Sequence, residues 1–136
     1  MKRKNRILAV LLVLTGIGTM LYWVNYFAAG DVRVVSERWY TAFEDSFPLA
    51  DSWMAITAVV AGIGLWRGVP WGTRAGLLAG SALIFLAAMD ITFNIENGLY
   101  ALAATSAPMQ FEIAINLWTL VLGLITIVAS WQYTDL

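Results

Sequence analysis

The sequence predicts an all-α integral membrane protein: an up-down bundle of four transmembrane helices with both termini cytoplasmic and a short amphipathic helix in the first external loop. Three observations predict it. The chain is 60% hydrophobic and 12% charged with a mean hydropathy of +0.74, against about 25% charged residues in ordinary soluble domains. Four apolar runs, about 7–29, 48–66, 73–97 and 109–131, are long enough to cross the ~30 Å hydrocarbon core. The basic residues are lopsided: Lys2, Arg3, Lys4, Arg6, Arg67 and Arg74 lie on the N-terminal side, against Arg33 and Arg38 on the other. Positive residues favour the cytoplasm, so a multi-pass protein of the cell membrane is expected, its 136 residues forming one domain.

The first run, Ile7 to Ala29, exceeds the apolar core of a signal peptide. Tyr26-Phe27-Ala28-Ala29 offers no small residue three positions before a cleavage point, so an uncleaved helix is expected. Residues 30–46 are the one substantial polar loop. Within it Val32, Val35, Trp39, Phe43 and Phe47 recur at helical spacing, with Arg33, Glu37, Thr41 and Glu44 on the other side. That spacing fits a short helix lying on the membrane surface, or an irregular loop with aromatic anchors. Pro48 opens the second run, with Ser46 as its expected cap. Arg67 to Arg74, RGVPWGTR, is a tight Gly/Pro turn that makes the second and third helices antiparallel neighbours. The third helix is expected from about Thr73, a capping residue, to about Asn97. Gly98 to Pro108 is a short connection, and the fourth helix begins at Pro108 or Met109.

Each run carries a small or polar stripe at helical spacing. In the first it is Thr15, Gly18, Thr19, Tyr22, Asn25 and Tyr26; in the second Asp51, Ala55, Ala58 and Gly62. The third has Gly76, Ala79, Gly80, Leu83 and Ala87, and the fourth Glu112, Asn116, Thr119, Gly123, Thr126 and Ser130, with Ile113, Leu117, Val121, Leu124 and Val128 as its lipid face. Small residues let membrane helices approach closely and hydroxyls bond across them, so these stripes are expected to face one another. Most aromatic rings fall where interface belts belong: Trp23, Trp39, Tyr40, Trp53 and Tyr100 on one side, Trp66, Trp71, Trp131 and Tyr133 on the other. Trp118, near mid-span, would wall an apolar pocket.

The third run loses its apolar character before it ends, at Asp90, Asn94 and Asn97, which share a helix face at i, i+4 and i+7. Asp51 and Glu112 sit near the starts of their helices, where the dipole favours an anion; Asp90 sits toward a helix C-terminus, where it does not. A carboxylate in an apolar layer faces the bundle interior, water or a partner. Eight of the nine acids (Asp31, Glu37, Glu44, Asp45, Asp51, Asp90, Glu96 and Glu112) lie on the external half, a clustering that topology does not require. If the stripes face inward, Asp51, Asp90, Asn94, Glu112 and Asn116 converge with Tyr22, Asn25 and Tyr26 on a ligand-binding cavity in the outer half. Glu96 is expected as a solvated loop-edge acid. With no basic residue in the spans, the acids require a shared proton, a bound cation or amine, or an arginine from the outer loop.

The chain has no cysteine and no histidine, and its only lysines are Lys2 and Lys4. Thiol and imidazole chemistry and an intramembrane Schiff base are therefore excluded, and with imidazole removed as a zinc or haem ligand so are most intramembrane metalloproteases and cytochromes. No cofactor is expected, no residue is assigned as a resident metal ligand, and an oxygen-only set suits hard cations and amines. The expected function is binding or transport of a cation, a protonated amine or a lipid-like molecule. The alternatives are an accessory subunit, a homodimer included, that docks a membrane partner through residues 30–47, and an enzyme working by carboxyl acid–base chemistry on a lipophilic substrate. The expected surroundings are the lipid bilayer, with no nucleic acid as partner. In layout the chain resembles the sterol-isomerase and sigma-2 type (EXPERA) group, the DoxX-like group and the small multidrug exporters. The sterol-isomerase members use histidine and the exporters a first-span glutamate. This chain has neither, so the likeness carries no residue roles.

Overall fold

The computed structural model describes residues 3–132, with the side chains of Arg3 and Lys4 left aside. Lys2 and Tyr133, which figured in the charge and belt expectations, and Asp135, the ninth acid, lie outside the described residues. The described chain is all-helical. The long helices are α1 (Arg3–Ala28), α3 (Phe47–Arg67), α4 (Pro70–Glu96) and α5 (Ala107–Trp131), and the short elements are α2 (Arg38–Glu44) and a 3₁₀ helix at Leu99–Ala104. Four helical segments are long and apolar enough to cross a membrane, one of them the stretch Arg38–Arg67 that takes in α2 and α3.

The boundaries follow from local chemistry and move some of the expected ones. Gly68, at φ +66°, closes α3: its N–H bonds the Leu65 carbonyl, and the Val69 N–H reaches back to Gly64 at 3.1 Å. Only glycine takes that left-handed position without steric cost. Val69 is then extended, as a residue before proline is, and Pro70 sits in the first turn of α4. That helix therefore begins before Thr73, whose hydroxyl donates to the Pro70 carbonyl and caps nothing. Ser46 does not cap α3 either; its hydroxyl donates to the Ala42 carbonyl at 3.0 Å. Ser106 is a working N-cap for α5, its Oγ accepting from the Met109 N–H at 3.2 Å.

Helix α1 packs on α3, α3 on α4 and α4 on α5, whereas α1 and α5 have no comparable contact. Glycines set the three tight seams. A Cβ on Gly16 would stand 2.8 Å from the Ala55 carbonyl oxygen, and one on Gly62 2.6 Å from that of Ala9. Gly64 and Gly72 bring the backbones of α3 and α4 into direct contact, and Gly80 faces Gly123 across α4 and α5. The Gly76/Gly80 pair thus serves one helix seam. The face of α1 that packs on α3 includes Ala9, Leu12 and Gly16, leaving the Thr15, Gly18, Thr19 and Tyr22 stripe for the space between α1 and α5. Leu117, Val121, Leu124 and Val128 of α5 point outward, while Ile113 packs in a small cluster with Tyr40, Leu99 and Met109.

The loop after α1 departs most from expectation. Its helix is two turns long, and Val32 and Val35 precede it. Its inward face is Tyr40 and Glu44, and both are buried. Phe43 stacks on Phe93 of α4 with ring centroids 3.7 Å apart. Glu44, placed by spacing on the polar outer side, is a buried residue of the bundle end.

Candidate functional site

The C-terminal ends of α1 and α4 and the N-terminal ends of α3 and α5 meet at one end of the bundle, and α2 lies across it. That end holds a cavity of about 370 Å³. Its polar wall includes Glu44, Asp51, Asp90, Glu112, Asn116 and Tyr22, with Thr15, Thr19 and Thr119 farther along; its apolar wall includes Leu14, Met54, Leu86, Ile115 and Trp118. Among the described residues, no lysine or arginine lines it. An apolar cavity of this size with a few convergent polar groups has the proportions of a small-molecule site.

Each carboxylate is positioned by a different element. Glu112, in the first turns of α5, accepts from the Asn94 side-chain amide at 2.7 Å and from the Tyr40 hydroxyl at 3.4 Å. Asn94 follows Asp90 by one turn of α4 and is fully buried, so the α4 ladder serves this site through its first two members. One oxygen each from Glu44, Asp90 and Glu112 lies within 4.8 Å of the others. Glu44 Oε1, Asp90 Oδ1 and Asn94 Oδ1 are buried without a hydrogen-bond partner, although Glu44 is only 5% exposed. Buried oxygens are normally satisfied. Carboxylates gathered this closely, away from water, require a positive charge among them, a shared proton or a bound cation. Asp51 stands at the side of the same cavity, held by the Trp23 indole N–H at 2.7 Å.

Five of the eight expected site residues (Asp51, Asp90, Glu112, Asn116 and Tyr22) line the cavity, and Asn94 supports it from behind. Asn116 donates its amide to the Tyr100 hydroxyl at 2.7 Å, which fixes its orientation at the wall. Asn25 and Tyr26 are not brought to it. Tyr26 is buried against Trp23 and Phe27 with the Arg33 guanidinium 4.6 Å above its ring, and Asn25 is half-buried at the end of α1. Asn97 also leaves the ladder: it is exposed and donates to the Phe93 carbonyl at 2.9 Å. Glu96 is exposed, as a loop-edge acid would be.

The residues that sequence reading missed are Glu44, Tyr40 and Trp23. Tyr40 and Glu44 are an i, i+4 pair on α2, a signal that was available but outweighed by the more numerous apolar spacings. Trp23 and Tyr100, read as belt residues, hold Asp51 and Asn116 from inside the protein. Trp118 lines the apolar wall and donates its indole N–H to Thr15 Oγ1 at 3.0 Å. No family model matches the sequence, and neither curated proteins nor solved structures give a significant match.

Proposed function

We propose that this is a multi-pass protein of the cell membrane, both termini cytoplasmic, that binds a ligand bearing a protonated amine in a cavity of its outer half. The Lys/Arg distribution supports the orientation, since Arg6, Arg67 and Arg74 flank the end of the bundle opposite the cavity, against Arg33 and Arg38 at the cavity end. One observation carries the ligand class. Glu44, Asp90 and Glu112 converge within 4.8 Å on a largely apolar cavity that no basic side chain among the described residues enters. An ammonium group supplies the missing charge and three donors, and the apolar wall receives the rest of the molecule. The segment 30–47 lies over the cavity with Tyr40 and Glu44 turned inward, which favours a ligand-covering role over docking of a partner subunit.

The test is benzylamine binding to the protein in lipid nanodiscs by isothermal titration calorimetry. Saturable binding to the wild type is expected, weakened at least about tenfold by Asp90→Asn, as when one partner of a buried charge pair is truncated. The melting temperature should stay close to that of the wild type. Equal affinity in the two proteins, or no binding, would sink the reading. A hard divalent cation is the second reading, favoured by the oxygen-only donor set and the unpartnered oxygens of Glu44 and Asp90. Tb³⁺ luminescence excited through tryptophan, displaced by Ca²⁺ and lost in Asp90→Asn, would select it over the amine.

A further inference from the structure

The cavity is not closed all round. Three of its four helix seams are glycine-tight, but between α1 and α5 the closure is made by side chains alone. Two contacts span the gap: the Tyr22 and Phe111 rings, stacked with centroids 6.4 Å apart, and the Trp118–Thr15 hydrogen bond. Phe111 and Trp118 are each about half exposed on the outside of the bundle, at 51% and 46%. Between these contacts Gly18 is exposed, and a Cβ built on it meets nothing within 4 Å. The acids therefore stand at one end of a cleft whose mainly apolar remainder, in which Thr15 and Thr19 turn their hydroxyls back to carbonyls of α1, runs down between α1 and α5 toward what would be the acyl chains of a bilayer.

Resting on the amine-binding reading, we infer that the ligand is a single-chain amphiphilic amine taken sideways from the lipid phase, its ammonium at Glu44, Asp90 and Glu112 and its alkyl chain between α1 and α5 past Gly18. The polarity gradient inside the cavity matches such a molecule end to end. Its volume, about 370 Å³, is in the range of small-molecule sites, and the gap between α1 and α5 gives one chain a path out of it. A chain moving from lipid into an apolar cleft exchanges like surroundings, so the acids supply the selectivity and the cleft the access. The Tyr22–Phe111 and Trp118–Thr15 contacts are side-chain doors that open without unpacking any helix seam.

A dodecylamine carrying a mid-chain diazirine, photolysed with the protein in nanodiscs and mapped by peptide mass spectrometry, tests this beside benzylamine binding. Adducts are expected on Leu14–Tyr22 of α1 and Ile115–Thr119 of α5, and should disappear in Asp90→Asn. Gly18→Leu, whose added side chain enters the open cleft, should cut them at least tenfold. Adducts scattered over the outer helix faces, or indifferent to both substitutions, overturn the inference, and the amine reading then survives if benzylamine still binds in an Asp90-dependent way. Failure of benzylamine to bind the wild type overturns both.

Discussion

Gly72→Val should be the most destabilising single substitution in the bundle. A Cβ on Gly72 would overlap the backbone of Gly64 and Leu65, and one on Gly64 would meet the Gly72 Cα and the Trp71 ring. Side-chain overlaps relax by rotamer changes, but backbone against backbone relaxes only if α3 and α4 move apart. Overpacking a tight core costs about 1–3 kcal/mol, and here separation also strips contacts along the whole seam, so a loss of at least about 3 kcal/mol is expected. Gly18→Val is the matched control, with the same residue types on an open face of α1. Tryptophan fluorescence during thermal unfolding in detergent should show a large drop for Gly72→Val and almost none for Gly18→Val. Similar melting of the two variants would mean that the α3–α4 seam tolerates a side chain where the structure leaves no room.

The seam also explains which parts of the site were legible in the sequence. Asp90, Glu112 and Asn116 could be placed because each continues a stripe of small residues that must face a neighbouring helix. Gly76, Gly80 and Gly123 point the α4 and α5 stripes at each other, and the acids follow in register. Glu44 could not be placed that way. Its element is two turns long, and Val32 and Val35, which set the expected apolar face, fall before it begins. Three-dimensional partners decide its rotation instead: the Phe43–Phe93 stack and the Tyr40–Glu112 hydrogen bond, the latter between residues 72 apart. Trp23 and Tyr100 misled for a related reason. Aromatic residues near a span end usually mark the interface, but their N–H and O–H groups also serve any buried acceptor or donor within reach, and Asp51 and Asn116 were in reach. Nor does periodicity contain the gap between α1 and α5. It follows because the close approaches of α1 are spent on α3, through Gly16 and Gly62, leaving the Thr15–Tyr22 face without a helix to pack on.

Asp90→Lys should abolish amine binding while leaving the protein folded. The substitution places a tethered ammonium on α4 one turn before Asn94, with Glu44 and Glu112 as its nearest carboxylates. A lysine in a spanning helix is costly when alone, but one paired with two acids is a common arrangement in membrane interiors. The built-in cation would occupy the ligand's place at an effective concentration that no free amine can match. It also removes one carboxylate and adds a like charge to repel the incoming ligand. Benzylamine affinity should fall at least about a hundredfold, which is ~2.8 kcal/mol and well beyond the tenfold effect of Asp90→Asn. The two substitutions also separate charge from shape. Asp90→Asn removes a charge with little change in volume, whereas Asp90→Lys gives the two remaining acids a cation and fills the site. If the site exists to pair a ligand's charge, the lysine variant should melt at or above the wild-type temperature, because its cation is always present. Adding Glu112→Gln to Asp90→Lys should then lower the melting temperature, since the lysine loses a partner and Asn94 and Tyr40 lose their charged acceptor. An Asp90→Lys protein that still takes up benzylamine with wild-type affinity would show that the amine sits elsewhere and that the three carboxylates only bind one another through protons.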